Sequence, residues 1–229
     1  YSTKEYPCHV EFFETDKKCV FKGDLGFSIF GGMSRIFPQK SFALYARKEY
    51  GTKNIKHQIF PDKDQKKFKR LVLRNSGSDF GETHFRDALI TSFGKEMGLE
   101  VQAYRPSVVF INGKYWGVLN LREKLTKHYL EENFGCNADS VNLVEHHKSL
   151  QAGSRESYDK MRIFMRSNNL ASQENFDKVA AIMDVENFME YQIIQIYIDN
   201  QDAGGNIKFW QPMLEGGKWR WILFDTDFG

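Results

Sequence analysis

The sequence lacks long hydrophobic runs, a surplus of charge of either sign, and any abundance of cysteine. No window in its 229 residues approaches the roughly 18 consecutive apolar residues of a membrane-spanning helix, so we expect no membrane span. The formal net charge is +2 at pH 7. This near-balance gives no reason to expect a nucleic-acid partner. The charged stretch "DKDQKKFKR" at residues 62–70 is interpreted as a solvated surface.

Cysteine is represented only by Cys8, Cys19 and Cys136. Three cysteines without a CxxC pair exclude both a disulfide scaffold and a cysteine metal knuckle. Cys8 and Cys19 flank a predicted hairpin. They therefore either face each other and pair, if the protein is secreted, or remain as two buried thiols. The sequence leaves both alternatives open.

The composition is that of a globular protein. Hydrophobic residues make up 41% and charged residues 27% of the chain, which indicates a globular rather than a disordered protein. Aromatic residues reach 15%, with 20 Phe, so we expect an aromatic-rich core. The length suits one large domain or two small lobes, and the sequence contains no internal repeat or low-complexity linker.

The first part of the chain, residues 1–150, has the pattern of a β-rich region. Its strongest signal is a hairpin in which Val108–Ile111 and Tyr115–Leu121 flank an Asn-Gly turn. Within this region, Phe85, Leu89 and Phe93 have helical spacing and predict a helix with these residues on its apolar face.

The second part, residues 151–229, has mostly helical patterns. Asp184 is predicted to cap a long helix. The predicted apolar positions of that helix are Val185, Phe188, Met189, Ile193, Ile196 and Tyr197. A Gly-containing loop and a hairpin around residues 215–217 follow.

Two acids, Asp225 and Asp227, follow the apolar run that ends the chain. They lie at i and i+2 on the end of the predicted strand, so both carboxylates are expected to point to one side. Such carboxylates repel each other unless a cation or a proton lies between them. A hard divalent metal, Mg²⁺ or Mn²⁺, is the usual partner. The alternative is one exposed acid and one helix cap.

The loop "NQDAGGN" favours the metal interpretation. It places Asp202 four residues before Asn206, directly after the long predicted helix, and the following hairpin can return the chain beside it. An Asp that accepts a proton, with an Asn and an Asp at a metal, forms a phosphoryl-transfer set. Asp227, Phe228 and Gly229 also spell the magnesium-binding tripeptide of protein kinases.

Phosphates need a cationic clamp, and the stretch around "GGMSRIFPQK" supplies Arg35 and Lys40. Lys40 opens a predicted strand, as a phosphate-binding Lys does in a kinase-like small lobe. We expect Glu123 to pair with Lys40 and to orient it. The alternative for Lys40 is an ordinary surface lysine.

Several blocks occur together in one order and resemble the CotH family of spore-coat and bacterial surface proteins, from about Val10 to Gly229. They include "GGMSRIFPQKSFALYARKEYG", "YRPSVVFINGKYWGVLNLREK", "YIDNQDAGGNIKFW" and "KWRWILFDTDFG". The resemblance implies an α+β, divergent protein-kinase-like two-lobe fold, with a β-rich N-terminal part and the start of a helical C-terminal lobe. It further implies ATP, Mg²⁺ or Mn²⁺, and phosphorylation of protein Ser or Thr.

The resemblance also implies roles for individual residues. Asp202 is the catalytic acid of the loop; Asn206, Asp225 and Asp227 lie at the metal; Arg35, Lys40 and Glu123 hold the nucleotide phosphates. The implied partner is a protein with Ser or Thr, such as a surface or coat protein, and the implied location is extracellular, at the cell surface or on the spore coat.

Two other functions stay open. The loop "NQDAGGN" is one residue shorter than the family pattern and lacks its Trp, which leaves a kinase-like binding module without turnover as the main alternative. A phosphohydrolase of the haloacid-dehalogenase type fits poorly, because its DxD strand opens a domain. Family domains continue past the acidic strand, so we expect this chain to be an incomplete domain.

Overall fold

The structure is a computed structural model that describes residues 4–146 and 148–229. The strands are β1 (Tyr6–Phe13), β2 (Cys19–Phe30), β3 (Ser41–Tyr45), β4 (Arg70–Arg74), β5 (Glu100–Val101), β6 (Tyr104–Ile111), β7 (Lys114–Glu123), β8 (Val141–Glu145), β9 (Ser149–Ala152), β10 (Lys208–Pro212) and β11 (Arg220–Leu223). The helices are α1 (Arg86–Glu96), α2 (Lys127–Phe134), α3 (Glu156–Ser167), α4 (Gln173–Ala180) and α5 (Val185–Tyr197). None of the helices in the described ranges is long and apolar enough to span a membrane.

The chain forms two compact units. The first contains the residues up to Phe85 together with Gln102–His128, and the second contains Arg86–Val101 and Tyr129–Gly229. Both strands and helices are present, which agrees with the predicted mixed α and β composition. The division into a β-rich region 1–150 and a helical region 151–229 stays a prediction, and the second unit has a sheet as well as helices.

The first unit is a curled antiparallel sheet with the strand order β1-β2-β3-β4-β7-β6. Strands β1 and β6 are its two edges. Glu14, directly after β1, accepts two hydrogen bonds from the guanidinium of Arg105 on β6, one of them 3.0 Å long. The same guanidinium lies 5.2 Å from the ring centre of Phe12 on β1. The curl of the sheet therefore brings its two edges together at one ion pair.

Strand β2 contains two glycines, Gly23 and Gly26, and still forms one strand of 12 residues. A side chain at Gly26 would collide with the ring of Tyr50. Here glycine permits close packing within a strand and does not end it.

The predicted hairpin of β6 and β7 is confirmed. Asn112 and Gly113 have φ angles of 51° and 76°. Two consecutive positive φ angles are typical of a type I′ turn, whose twist matches that of the flanking strands. Asn and Gly tolerate this conformation better than other residues, so the pair gives a strong sequence signal.

The possibility that Cys8 and Cys19 face each other is excluded by the register of β1 and β2. Cys8 lies opposite Leu25, and Cys19 lies opposite Phe13. Five residues of extended chain separate Cys8 from Phe13, which is on the order of 16 Å and too far for a disulfide. All three cysteines are free thiols, with Cys19 exposed and the others half-buried.

The second unit contains a five-stranded sheet in the order β5-β11-β10-β8-β9. Only β5 and β11 pair in parallel among its described strands. The core on this sheet is aromatic, as the composition indicated: Phe209, Trp219 and Trp221 are almost fully buried, together with Tyr158 of α3. The rings of Phe209 and Trp221 stack with their centres 5.7 Å apart.

The predicted apolar face of α1 is wrong. Phe85, Leu89 and Phe93 are 44–49% exposed, and the buried face contains the smaller residues Ala88 and Gly94. A Cβ on Gly94 would lie 2.5 Å from a methyl group of Leu223 on β11. The helix therefore packs close to the sheet through its small residues and Ile90. The large apolar residues at positions 85, 89 and 93 lie on the exposed side.

The predicted apolar face of α5 is also wrong in part. Asp184 caps this helix as expected, since its side chain accepts a hydrogen bond from the backbone N–H of Asn187. However, Ile196 and Tyr197 are strongly exposed, whereas Asn187 is buried. The side-chain oxygen of Asn187 accepts a 2.6 Å hydrogen bond from the backbone N–H of Trp221. A polar side chain thus faces the sheet because it satisfies a backbone group of β11.

We predict that Glu14 makes the free energy of unfolding depend on pH in the acid range. Its hydrogen bond from Arg105 lowers the pKa of Glu14 from 4.5 to about 2, with a smaller contribution from His57. A carboxylate with a lowered pKa in the folded state stabilises the fold above its unfolded pKa. That contribution is lost as the pH falls from about 4.5 to about 2.

The measurement is urea denaturation of the wild type and of Glu14→Gln between pH 7 and pH 2. The variant should be less stable at neutral pH, and the difference between the two proteins should shrink over the acid range. Glu49→Gln, an exposed acid in the same unit, is the control. A difference that stays constant with pH would contradict the assignment.

Candidate functional site

The acidic segment, residues 224–229, leaves the end of β11 in an irregular conformation. Strand β11 ends at Leu223, and Asp225 has a φ of 56°. The prediction that Asp225 and Asp227 lie on the end of a strand is therefore wrong. The left-handed conformation of Asp225 itself interrupts the period of two on which their placement on one side was predicted. Asp227 is buried, Asp225 is half-buried, and Thr226 between them is fully buried.

The first turn of α1 holds the acidic segment. The carboxylate of Asp87 accepts hydrogen bonds from the backbone N–H of Thr226, at 2.9 Å, and from its hydroxyl, at 3.1 Å. The guanidinium of Arg86 donates to the carbonyl oxygens of Asp227 and Gly229 at 3.3 and 3.2 Å. Neither Arg86 nor Asp87 was singled out from the sequence, where they read as part of an ordinary helix start.

The loop after α5 forms a tight turn that brings Asp202 and Asn206 together. The side-chain amide of Asn206 donates to Asp202 Oδ2 at 2.7 Å, and its backbone N–H donates to the carbonyl of Asp202 at 3.0 Å. A Cβ at Gly205 would lie 2.6 Å from Asp202 Oδ1, so a side chain there would displace the Asp202 carboxylate. The contact between Asp202 and Asn206 is thus built into the loop.

A buried asparagine fixes the start of this turn. The side-chain amide of Asn200 donates to Gln195 Oε1 of α5 at 2.8 Å. Its side-chain oxygen accepts from the backbone N–H of Asp202 at 3.1 Å. Asn200 therefore links the position of Asp202 to the last turns of α5.

The turn and the acidic segment are neighbours. The backbone N–H of Gln201 donates to the carbonyl of Phe228 at 3.2 Å. This bond places Asp202 and Asn206 on a segment adjacent to Asp225 and Asp227, all within the second unit. The expectation that the hairpin returns the chain beside the loop agrees with this placement.

A buried cation, Lys208, lies near the acidic segment. It is 6% exposed, its ammonium lies 2.9 Å from Glu145 Oε1, and it is 5.1 Å from the ring centre of Phe224. Sequence reasoning missed it. The available signal was a lysine inside the apolar strand "NIKFW", where a buried charge requires a partner.

In the first unit, Arg35 and Lys40 organise one short turn. Arg35 Nε donates to the carbonyl of Gly31 at 2.6 Å. The ammonium of Lys40 donates to the carbonyls of Arg35 and Phe37 at 2.7 and 2.5 Å. Both predicted phosphate ligands thus use donors on backbone groups of residues 31–37.

The expected ion pair between Lys40 and Glu123 is wrong. Glu123 is 3% exposed, and both of its oxygens accept from the ammonium of Lys63, at 2.8 and 2.7 Å. Glu123 also accepts a hydrogen bond from the backbone N–H of Ala103 at 2.8 Å. Lys63 belongs to the stretch interpreted as a solvated surface, and so does Phe68, which is fully buried. That interpretation is wrong at both positions.

The donor set proposed for a metal consists of oxygen atoms. It combines the carboxylates of Asp225 and Asp227 with the side-chain oxygen of Asn206. Oxygen donors of this kind suit Mg²⁺ or Mn²⁺, which commonly retain waters and bind only one or two protein carboxylates. Residues 4–146 and 148–229 contain no group of three or more His, Cys, Asp or Glu side chains placed to hold a metal ion.

Comparison with known proteins gives one match. A family model described as CotH kinase protein matches residues 27–229, which is most of the chain. The chain belongs to the CotH kinase family. A search of curated proteins found no match. The matched CotH region includes the whole second unit, the first unit from residue 27 onward, and all seven candidate residues, from Arg35 to Asp227.

We predict that Lys63 stabilises the CotH fold of this chain by neutralising Glu123. Removing one partner of a buried pair leaves an uncompensated charge, which typically costs about 3–5 kcal/mol. Because Lys63 is 21% exposed, we expect Lys63→Met to cost about 2 kcal/mol or more. Urea denaturation measures the loss.

Lys66→Met, which changes an exposed lysine of the same stretch, should be close to neutral. The double variant Lys63→Met/Glu123→Leu should recover much of the lost stability, because neither charge is then buried alone. Equal stability of Lys63→Met and Lys66→Met would show that the pair does not stabilise the fold.

Proposed function

We propose that this chain is a metal-dependent atypical protein kinase that transfers the γ-phosphate of ATP to Ser or Thr of a protein. Its support is the family match over residues 27–229, together with the hydrogen bond from Gln201 N–H to the carbonyl of Phe228. That bond joins the turn of Asp202 to the segment of Asp227. Phosphoryl transfer requires these groups on neighbouring segments.

In this proposal, Asp202 accepts the proton of the acceptor hydroxyl and orients its oxygen. The side-chain amide of Asn206 donates to the Asp202 carboxylate at 2.7 Å. The side-chain oxygen of Asn206 and the carboxylates of Asp225 and Asp227 would hold the metal. When bound, Mg²⁺ or Mn²⁺ would neutralise charge on the phosphate oxygens. Positioning and electrostatic stabilisation supply most of the catalysis in this class of reaction.

The phosphate-binding residues of the proposal are Arg35, Lys40 and Glu123. Glu123 does not contact the phosphates directly but pairs with a lysine and orients it. In this proposal Lys63 is that lysine; its ion pair with Glu123 supports the role, because protein kinases require a Lys–Glu ion pair. The proposal includes a divergent kinase-like two-lobe fold with a β-rich lobe and a helical lobe.

The proposed partner is a Ser- or Thr-containing protein, such as a surface or coat protein. The proposed location is extracellular, at the cell surface or on the spore coat, because the family name indicates spore-coat association.

A second candidate is a kinase-like module that binds nucleotide without turnover. It is favoured by the hydrogen bond within the short turn, which the side-chain amide of Asn206 donates to the carboxylate of Asp202. A carboxylate held in this way has one fewer lone pair for an acceptor hydroxyl. Such a module would bind ATP and metal but transfer no phosphate.

We predict that Asp202→Asn lowers phosphoryl transfer by roughly 10²-fold or more, the typical contribution of a positioned base. ATP affinity should change little, because this residue faces the acceptor. The measurement is transfer of radiolabelled phosphate from ATP to a Ser/Thr-rich protein, with ATP affinity measured in parallel. Asp199→Asn, at an exposed left-handed position of the same loop, is the control and should be neutral.

Loss of ATP affinity together with transfer would make Asp202 a metal ligand or a structural residue. ATP binding by the wild type without any transfer would favour the module without turnover.

We predict that Asp227→Ala weakens Mn²⁺ binding more than Asp225→Ala. Asp227 is buried and precedes Phe-Gly, the position that holds the bridging metal in kinases, whereas Asp225 is half-buried. Mutation of outer partners of metal ligands costs 10- to 100-fold in affinity, so loss of a direct ligand should cost about tenfold or more. Titration of Mn²⁺ followed by electron paramagnetic resonance measures both variants. Equal or reversed losses would show that the two acids are assigned wrongly.

A further inference from the structure

The buried carboxylate of Asp87 accepts hydrogen bonds from a residue that is distant in the sequence. Asp87 is 6% exposed and lies in the first turn of α1, where the helix dipole favours a negative charge. Its Oδ1 accepts from both the backbone N–H and the hydroxyl of Thr226, a residue 139 positions away in the sequence. Hydrogen bonds to a charged acceptor are about twice as strong as neutral ones.

Thr226 is the residue between the two proposed metal ligands, and it is fully buried. A fixed backbone at Thr226 restricts the directions of both neighbouring side chains, Asp225 and Asp227. Asp225 has a φ of 56°, a left-handed conformation that costs free energy for a residue other than glycine and persists only when its surroundings hold it.

A second contact on the same helix turn fixes the far end of the segment. Arg86 donates to the carbonyl oxygens of Asp227 and Gly229. The close packing of α1 on β11 at Gly94 and Leu223 keeps this helix turn at the end of the strand. The adjacent residues Arg86 and Asp87 thus hold the backbone of the acidic segment at positions 226, 227 and 229.

We propose that Asp87 is a positioning residue for Asp225 and Asp227: through Thr226 it holds both carboxylates in the arrangement that binds a divalent cation. This inference rests on the proposed metal-binding function of the acidic segment. Asp87 itself touches Thr226 and is not assigned as a ligand. Groups that orient metal ligands without touching the metal typically contribute 10- to 100-fold to affinity.

The test is Mn²⁺ titration, followed by electron paramagnetic resonance, of the wild type and four variants. Asp87→Ala should weaken Mn²⁺ binding by about tenfold or more, and Asp87→Asn by less, since an amide oxygen still accepts but carries no charge. Thr226→Val, which keeps the backbone N–H but loses the hydroxyl, should weaken binding. Thr226→Ser keeps both donors and should bind like the wild type.

Hydrogen exchange of the metal-free protein gives a readout that does not involve the cation. The backbone amide at position 226 should be protected from hydrogen exchange in the wild type and in Thr226→Ser. It should exchange faster in Asp87→Ala, because its acceptor is gone.

Glu100→Gln is the control for a general loss of stability. Glu100 is as buried as Asp87 and lies in the same unit, but it accepts hydrogen bonds from Arg220 and Asn187. Burial raises the pKa of Glu100, against the effect of Arg220. Its substitution should lower the melting temperature and leave Mn²⁺ affinity near that of the wild type.

Each outcome decides the inference. If the wild type binds Mn²⁺ and Asp87→Ala binds it equally well, Asp87 is a structural residue and the inference is wrong, while the proposed function stands. If Asp87→Ala does not fold, the two Thr226 variants decide. Equal Mn²⁺ affinities of Thr226→Val and Thr226→Ser would then overturn the inference. If the wild type binds no Mn²⁺, the proposed metal site fails, and the role of Asp87 fails with it.

Discussion

The close approach of α1 to β11 is the contact on which the candidate site of the second unit depends. Gly94 allows the helix to lie against Leu223, because any side chain at position 94 would occupy the space of a leucine methyl group. The first turn of the helix then reaches the end of the strand, where Arg86 and Asp87 bind the backbone of residues 226–229. In the same segment, the carbonyl of Phe228 accepts a hydrogen bond from Gln201, in the turn that carries Asp202.

The first unit depends on ion pairs between residues that are distant in the sequence. Glu14 and Arg105 are 91 residues apart and join the two edges of the sheet, and Lys63 and Glu123 are 60 residues apart. Glu14 has a lowered pKa because of its pair, and Glu123 is almost fully buried in its own. Charged stretches of this sequence therefore contribute to its interior as well as to its surface.

The sequence correctly predicted those features that depend only on residues close together in the chain. The Asn112-Gly113 turn and the Asp184 cap are correct because each depends on the conformational preference or hydrogen bonding of residues within one turn. The spacing of Asp202 and Asn206 placed both residues on one loop, but it did not predict the hydrogen bond between their side chains. The buried faces of α1 and α5 could not be read from periodicity, because small and polar residues face the sheet there. Likewise, the left-handed φ of Asp225 interrupts the alternation on which the arrangement of the two acids was predicted.

The central claim is that the acidic segment and the Asp202 turn form a site for ATP together with a divalent metal. Calorimetric titration of ATP into the protein, with and without Mn²⁺, tests this claim most directly. The account predicts binding in the presence of Mn²⁺ that is lost when the metal is removed, because the carboxylates alone would repel the phosphates. Absence of heat and of any thermal shift at millimolar ATP and Mn²⁺ would contradict it.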